Sequence, residues 1–293
     1  MDIPGTQKID ANNVTPGNSQ NELFCACVKN LKNSTYLNNF LQDLDQYLPD
    51  FVFSKQTLDL HEKLLREGKT TKTPIDKARE FLKKTSLSRT SDSGEFGEFL
   101  LYLFAKHIKG AQKLISTIQS RGNTNQSIPG RDGLFVLKAE NGDVFMLLGE
   151  AKIRVDSNDG LRDAQQDMND FWVSGGIHHQ INLASTHLRE ELNTENADMY
   201  EAYFIDDNPQ HAQLKYKNIV FVGYSFSKLT TFIQGKTTDK DLCDAIISDL
   251  NRCFTNQASL ISSSPCPTIY CFLPFESADA ARTEFARHNL LII

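Results

Sequence analysis

The chain lacks the features of several protein classes. Its 31 Lys and Arg residues against 37 Asp and Glu residues give a formal net charge of -6. This argues against a histone-like or ribosomal protein, because such proteins bind phosphate groups with bulk positive charge. It does not exclude a nucleic-acid enzyme, because charge can be segregated along the chain. No apolar run approaches the length of a membrane-spanning helix, and the N-terminus has no basic segment followed by an apolar stretch. We therefore expect no membrane association, no signal peptide and a cytoplasmic location.

Cysteine patterns typical of metal sites are also missing. None of the six cysteines forms a Cys-x-x-C pair, and most lie in apolar surroundings. A zinc site would need tighter ligand spacing with histidine nearby. The sequence therefore predicts buried free thiols in a reducing cytoplasm. It also contains no zinc finger or helix-turn-helix pattern, so we expect little base specificity in any contact with nucleic acid.

The first ninety residues divide into a polar stretch and a helical one. Residues 1–20 are rich in Asn, Gly, Pro and Thr, which is typical of a flexible tail. Residues 21–90 predict a short strand and then a mainly helical region that could contact a partner or DNA. The predicted helices span Leu37–Leu48, Thr57–Glu67 and Thr73–Lys84. In the last of these, Thr73 is the expected N-cap and Pro74 the first helical residue.

Residues 91–293 predict an α/β core. A helix is expected to begin near Ser93, capped by the polar side chains of residues 91–93. Strands are predicted at Gly133–Ala139, Val144–Lys152, Asn218–Tyr224 and Thr268–Pro274, and further helices at Asp159–Phe171, Asp239–Cys253 and Ser277–His288. Alternating strands and helices favour a mixed central sheet flanked by helices.

Charge is segregated along the chain. Between Glu62 and Arg89, nine basic residues face four acidic ones, a balance of +5. Between Asp156 and Asp207, twelve acidic residues face two arginines, a balance of -10. Each run is consistent with a solvated helix face. The alternative is a basic surface for phosphate groups and an acidic surface for a basic partner or a metal ion.

Two predicted strands carry residues that suit phosphodiester chemistry. Asp132 opens the first strand, and Glu150 and Lys152 end the second. Glu150 and Lys152 share a face because strand side chains alternate. Carboxylates on adjacent strands can hold Mg²⁺, and the metal lowers the pKa of an attacking water, which the lysine can orient or deprotonate. A surface hairpin with Glu and Lys on its rim is the alternative.

The turn between these strands decides whether the two acids meet. A three-residue loop at residues 140–142 pairs Ala139 with Asp143, and therefore Asp132 with Glu150. That loop needs a left-handed residue at its third position, where Gly142 stands. A two-residue loop would instead turn Asp132 away from Glu150. We predict the three-residue loop.

The helix expected near Ser93 carries two more acids. Glu95 and Glu98 are three residues apart and share a helix face. Glycines at 94 and 97 weaken a helix but permit close backbone approach. These acids either complete a metal site or are held by the helix dipole.

These segments resemble a known group of enzymes. Gly94-Glu-Phe-Gly-Glu98, Gly130-Arg-Asp-Gly133 and Leu148-Gly-Glu-Ala-Lys152 are similar to the three motifs of the PD-(D/E)xK nucleases. More narrowly, they resemble the HamA nuclease subunit of the bacterial Hachiman anti-phage defence system. The resemblance covers roughly residues 90–293 well and the first 90 residues poorly. Arg131 stands where the family pattern has proline.

The resemblance implies a Mg²⁺-dependent DNase, in which Mn²⁺ can replace Mg²⁺, working beside a superfamily 2 helicase subunit in a bacterial cytoplasm. Asp132, Glu150 and Glu98 would bind metal, and Lys152 would assist the water. The accessory candidates are Glu95, Gln165 and Gln166. The candidate DNA contacts are Lys63, Lys69, Lys72, Lys77, Lys83, Lys84, Arg89 and Arg131.

Two other functions stay open from the sequence. The nuclease-like core could be a non-catalytic adaptor that binds DNA ends or a helicase partner. It could also be an RNase or a restriction-type enzyme of the same fold. The complete set of Asp132, Glu150 and Lys152 favours catalysis over the adaptor.

Overall fold

The computed structural model describes residues 3–85, 94–116, 131–205 and 207–290. Seven strands form one mixed sheet in the order β1-β2-β7-β6-β5-β4-β3. The strands are β1 (Thr6–Ile9), β2 (Glu22–Val28), β3 (Gln112–Ser116), β4 (Gly133–Lys138), β5 (Val144–Arg154), β6 (Lys215–Ser225) and β7 (Thr268–Phe275). The four central strands β2, β7, β6 and β5 run parallel, and β1, β4 and β3 pair antiparallel at the two edges.

Helices flank this sheet, as the alternation of strands and helices predicted. They are α1 (Tyr36–Leu44), α2 (Leu48–Val52), α3 (Lys55–Arg66), α4 (Pro74–Thr85), α5 (Glu95–Lys109), α6 (Ser157–Val173), α7 (Ile177–Glu191), α8 (Thr194–Glu201), α9 (Lys228–Ile233), α10 (Asp239–Asn256), α11 (Ala258–Ser262) and α12 (Ala278–Leu290). No helix within the described ranges is long and apolar enough to cross a membrane.

The sheet is covered on both faces. On one face, Phe104 of α5 lies against Phe221 of β6, and α12 packs beside α5. On the other face, α6 lies across β5 and β6, and Phe254 of α10 contacts Tyr270 of β7. Strand residues that are buried on both sides explain the continuous apolar runs of β6 and β7. All six cysteines are free thiols, and four of them are buried.

Residues 6–9 form a strand of the sheet, so the flexible tail expected over residues 1–20 was wrong for this part of the chain. β1 pairs antiparallel with β2, and Ile3, Ile9 and Val14 are buried. These apolar residues are isolated in a polar stretch and show no strand periodicity. β2 in turn pairs with β7, so strands from both sides of the boundary predicted at residue 90 form one sheet.

The helical region between residues 36 and 85 differs in detail from its prediction. The helix expected over Leu37–Leu48 is divided into α1 and α2 by a 3-10 turn at Asp45–Tyr47. α4 begins at Pro74 as predicted, and the Asp76 amide donates to Thr73 Oγ1 at 3.2 Å. The caps predicted at residues 91–93 lie outside the described residues, and α5 has Gly94 at its N-cap position.

A buried lysine fastens this helical region to the sheet. Lys113 of β3 donates to the carbonyl oxygens of Asp50, Phe51 and Phe53 at 2.6, 3.2 and 2.9 Å. These carbonyls lie at the C-terminal end of α2, where helix carbonyls have no partner within the helix. Lys113 also forms an ion pair with Glu191 at 3.4 Å. Burial lowers the pKa of Lys113, although the Glu191 carboxylate opposes that effect.

Candidate functional site

The β4–β5 hairpin has the predicted register. Pairs run from Lys138 with Val144 to Gly133 with Gly149, so that Asp132 follows opposite Glu150. The Ala139 amide donates to the Asp143 carbonyl at 2.8 Å, and Gly142 has the expected positive φ of 86°. The three-residue loop is therefore confirmed, and with it the placement of both acids at one end of the hairpin.

The first of these acids is anchored to the second strand. Asp132 Oδ2 accepts a hydrogen bond from the Ala151 amide at 2.9 Å. Glu150, the residue before Ala151, is only 5% exposed. The charge of Asp132 acts on the Glu150 carboxylate. The structure thus brings two of the predicted site carboxylates together, one just before β4 and one on β5.

Lys152 lies between two carboxylates. Its Nζ is 2.8 Å from Glu150 Oε1 and 2.7 Å from Asp167 Oδ2. Glu150 and Lys152 share one face of β5, as strand alternation requires, and Asp167 reaches that face from α6. Burial lowers the pKa of Lys152, but the Glu150 and Asp167 carboxylates outweigh it and raise the pKa to about 12. In this arrangement the lysine is therefore protonated near neutral pH and lies within hydrogen-bonding distance of both carboxylates.

The surroundings of Glu150, in contrast, favour its uncharged form. Burial and the negative charge of Asp132 raise the pKa of Glu150 to about 7, against the opposing effect of Arg131 and Lys152. A carboxyl group with a pKa this close to neutral is typical of functional sites. The raised pKa also means that the surroundings of Glu150 disfavour its ionised form. Additional positive charge nearby would stabilise that form.

Arg131 points into this site instead of out toward solvent. Its Nη1 is 3.0 Å from Glu150 Oε2, and its side chain is 13% exposed. The guanidinium lies 4.8 Å from the centre of the Phe171 ring and donates to Met168 Sδ at 3.2 Å. Arg131 was predicted as a DNA contact. In this structure its guanidinium contacts Glu150 and two residues of α6, Met168 and Phe171.

Glycines permit the close packing around the hairpin end. A Cβ built on Gly149 would lie 3.0 Å from the carbonyl oxygen of Gly133 and 2.8 Å from Leu101 Cδ2. A Cβ on Gly97 of α5 would lie 3.3 Å from the Cβ of Ala151. The close backbone approach predicted for the start of α5 is therefore present, and α5 rests on the face of β5 opposite Glu150 and Lys152.

The helix acids are buried near the start of α5. Glu95 is 1% exposed and Glu98 is 2% exposed. No three Asp, Glu, His or Cys side chains in the described part of the chain are grouped to hold one metal ion. Glu98 thus does not form a three-ligand cluster with Asp132 and Glu150, and its role as a metal ligand stays a prediction.

The remaining pair of carboxylates still suits a magnesium ion. Mg²⁺ prefers oxygen ligands, keeps several waters and is often held by one or two carboxylates together with substrate phosphates. Asp132 and Glu150 supply that donor set, and the charge of one raises the pKa of the other. A divalent cation between them would offset this repulsion.

The two accessory glutamines lie elsewhere. Gln165 is fully buried, accepts from the Tyr270 hydroxyl at 2.7 Å and donates to Asn169. Gln166 is exposed and donates to Asp170 at 2.8 Å. The α6 residue that pairs with Lys152 is Asp167, which was not predicted as a site residue.

Most of the predicted DNA contacts lie on α3, α4 and the turn between them. The exposed ones are Lys63, Lys69, Lys72, Lys83 and Lys84, whereas Lys77 is half-buried. Lys69 pairs with Glu67 at 2.7 Å, and Lys72 pairs with Glu80. Arg89 lies outside the described residues. The basic surface of this region, defined by these five exposed lysines, therefore belongs to the N-terminal helices.

Comparison with known proteins supports one family. The model of the family described as HamA matches residues 6–288. That match includes the N-terminal helices and both edges of the sheet, as well as the hairpin with Asp132, Glu150 and Lys152. Compared with proteins of curated function, the chain has no match.

Proposed function

Because the chain belongs to the HamA family and is thereby a component of Hachiman anti-phage defence, we propose that it is a Mg²⁺-dependent nuclease that hydrolyses DNA phosphodiester bonds. The observation that carries the proposal is the grouping of Asp132, Glu150 and Lys152 at one end of the β4–β5 hairpin. Two carboxylates can hold a divalent metal ion, which activates the attacking water, and a protonated lysine beside them can donate hydrogen bonds to that water or to the phosphate.

Each residue has a role set by its surroundings. Asp132 and Glu150 would hold Mg²⁺, which when bound polarises the phosphate and lowers the pKa of the attacking water. Lys152 stays protonated and donates hydrogen bonds to the water or to the phosphate oxygens, where negative charge develops. Asp167 fixes the direction of the Lys152 side chain. In the absence of metal, the raised pKa of Lys152 favours donation to the water over deprotonation of the water, and both roles were considered from sequence.

DNA binding is expected to need more than this site. The net charge of -6 gives the isolated chain little attraction for phosphate. We propose that the five exposed lysines of α3, α4 and the turn between them contact the DNA backbone, and that a superfamily 2 helicase subunit supplies further DNA contacts. A basic surface of that partner would dock on the acidic helices α6, α7 and α8.

A plasmid-nicking assay tests the proposal. The chain, alone and with the helicase subunit, is incubated with supercoiled plasmid in Mg²⁺, and the Glu150→Ala, Lys152→Ala double variant is compared with the wild type. The chain offers a matched control in an exposed ion pair on α3, Lys55 with Asp59 at 2.6 Å, which lies outside the proposed site and outside the proposed DNA contacts. We expect the site variant to lose nicking and the Lys55→Ala, Asp59→Ala variant to keep its rate.

The same assay separates the alternatives. Normal nicking by the folded site variant would refute the nuclease proposal. If the wild type itself neither nicks DNA nor changes its melting temperature on addition of Mg²⁺ or Mn²⁺, the core is a non-catalytic adaptor. Cleavage of RNA but not DNA under the same conditions would identify an RNase.

A further inference from the structure

A groove opens directly beside the site residues. It has a volume of about 510 Å³ and lies between the C-terminal half of α6 and the first turn of α7. One of its lining residues, Asp167, places Oδ2 2.7 Å from Lys152 Nζ. Another, Arg131, places Nη1 3.0 Å from Glu150 Oε2. The groove is therefore continuous with the place where a phosphate would lie against Lys152, and its volume is typical of a ligand-binding cleft.

The groove is lined by one aromatic ring and by small residues. Gly176 packs against the Phe171 ring, where a Cβ at position 176 would lie only 2.4 Å from Cε2. A larger residue at 176 would therefore displace the ring that lines the groove. Ser174 ends α6, is exposed, and donates its hydroxyl to the Phe171 carbonyl at 2.8 Å. His179 of α7 adds an exposed imidazole.

The charges of the lining do not suit a phosphate. One arginine and two aspartates give the lining residues a formal charge of -1, with histidine counted as neutral. Asp170 is the exposed carboxylate among them, and it accepts from the neutral Gln166 amide at 2.8 Å. A backbone phosphate in the groove would lie against this negative charge. A flat, uncharged group with apolar faces and a polar edge suits the lining better.

A nucleobase is the part of DNA that has these properties. In a duplex the bases are paired and stacked, so that only an unpaired or flipped base can enter a groove beside the cleavage site. We propose that the groove binds the base next to the scissile phosphate, and that the enzyme therefore prefers single-stranded DNA to duplex. The inference rests on the proposed function, since it concerns the strand that the same site would cleave. His179 supplies a ring on which such a base can stack.

Cleavage of matched substrates tests this preference. The protein, purified with the helicase subunit, is incubated in Mg²⁺ with an end-labelled single strand and with the same strand in a duplex. ATP is omitted so that the helicase cannot open the duplex. We expect the wild type to have a kcat/KM about tenfold or more higher on the single strand, as stacking of one base on an aromatic side chain allows.

Filling the groove should remove the preference. Ser174→Trp adds bulk without charge and should lower kcat/KM on the single strand about tenfold while changing it less than about twofold on the duplex. Ser262→Trp is the matched control, because Ser262 is also exposed and also donates to the carbonyl three residues earlier at 2.8 Å, but does not line the groove. His179→Ala removes only the ring and should lower the single-strand value about threefold or more.

The outcomes separate this inference from the proposed function. Equal rates on the two substrates, or a folded Ser174→Trp protein that cleaves the single strand as fast as the wild type, would refute the base-binding groove and leave the nuclease. If Ser174→Trp loses the helicase subunit in size-exclusion chromatography while Ser262→Trp retains it, the groove binds the partner and the proposal is overturned. If the wild type cleaves neither substrate, with or without ATP, the proposed function fails and this inference with it.

Discussion

The substitution Glu150→Gln is expected to stabilise the protein at alkaline pH. Glu150 is buried, and its surroundings raise its pKa from an ordinary value of 4.5 to about 7. The folded state therefore holds a proton on Glu150 between these pH values, where the unfolded state has released it. Stability from this group is fully present below pH 4.5 and is lost as the pH rises through 7.

The size of the effect follows from the difference in pKa. Each pH unit corresponds to about 1.4 kcal/mol, so ionised Glu150 costs the folded state about 3 kcal/mol above pH 8. Glutamine has the shape of the protonated acid and carries no charge. Glu150→Gln should thus raise the free energy of unfolding by up to about 3 kcal/mol at pH 8, a shift of roughly 5–10 °C in melting temperature.

Thermal and guanidinium unfolding of both proteins in EDTA measures this difference. The comparison is made at pH 8 and again at pH 4.5, where wild type and variant should be equally stable. A variant that is less stable than the wild type at pH 8, or a stability difference that does not change with pH, would refute the reasoning. Because metal binding stabilises only the wild type, saturating Mg²⁺ should reduce the difference at pH 8.

Three other predictions concern residues that hold the fold and the site in place. Lys113→Met removes the hydrogen bonds to three carbonyls at the end of α2 and the buried ion pair with Glu191, and should cost about 3–5 kcal/mol of stability in guanidinium unfolding; a loss below about 1 kcal/mol would contradict the anchoring role. Gly149→Ala forces β4 and β5 apart. It should lower the rate of DNA cleavage per folded molecule, while the free energy of unfolding falls by only about 1–3 kcal/mol. Asp167→Asn frees the Lys152 side chain and should slow cleavage roughly tenfold with little change in melting temperature; an unchanged rate would exclude a positioning role.

The geometry of the hairpin could be predicted because local rules decide it. Gly142 selects the loop, the loop sets the register, and strand alternation then places Glu150 and Lys152 on one face. The family resemblance was confirmed by the match over residues 6–288. Buried strands β6 and β7 were recognisable from continuous apolar runs.

Features that depend on tertiary contacts were not predicted. β1 has only four residues, two of them exposed, and its burial depends on β2 and α1. α7 and α8 were not predicted, since α7 mixes polar and apolar residues along much of its length. The partners of Gln165 and Arg131 likewise depend on how α6 lies across the sheet, which no local pattern gives.

One missed signal lies in the spacing of charges. Lys152 and Arg154 are two residues apart on β5, about 6.6 Å along the strand. Asp163 and Asp167 are four residues apart on α6, about 6 Å along the helix. The matching distances allow Arg154 to pair with Asp163 and Lys152 with Asp167. A Lys-x-Arg strand end followed by an Asp-x-x-x-Asp helix therefore indicates such a double ion pair.

The most direct measurement for the nuclease proposal is the cleavage rate of an end-labelled DNA duplex in Mg²⁺, with wild-type protein and Glu150→Gln each purified with the helicase subunit. The account predicts cleavage by the wild type that EDTA stops, and none by Glu150→Gln, although that variant is the more stable protein at pH 8. Equal cleavage by the two proteins, or wild-type cleavage that persists in EDTA, would contradict it.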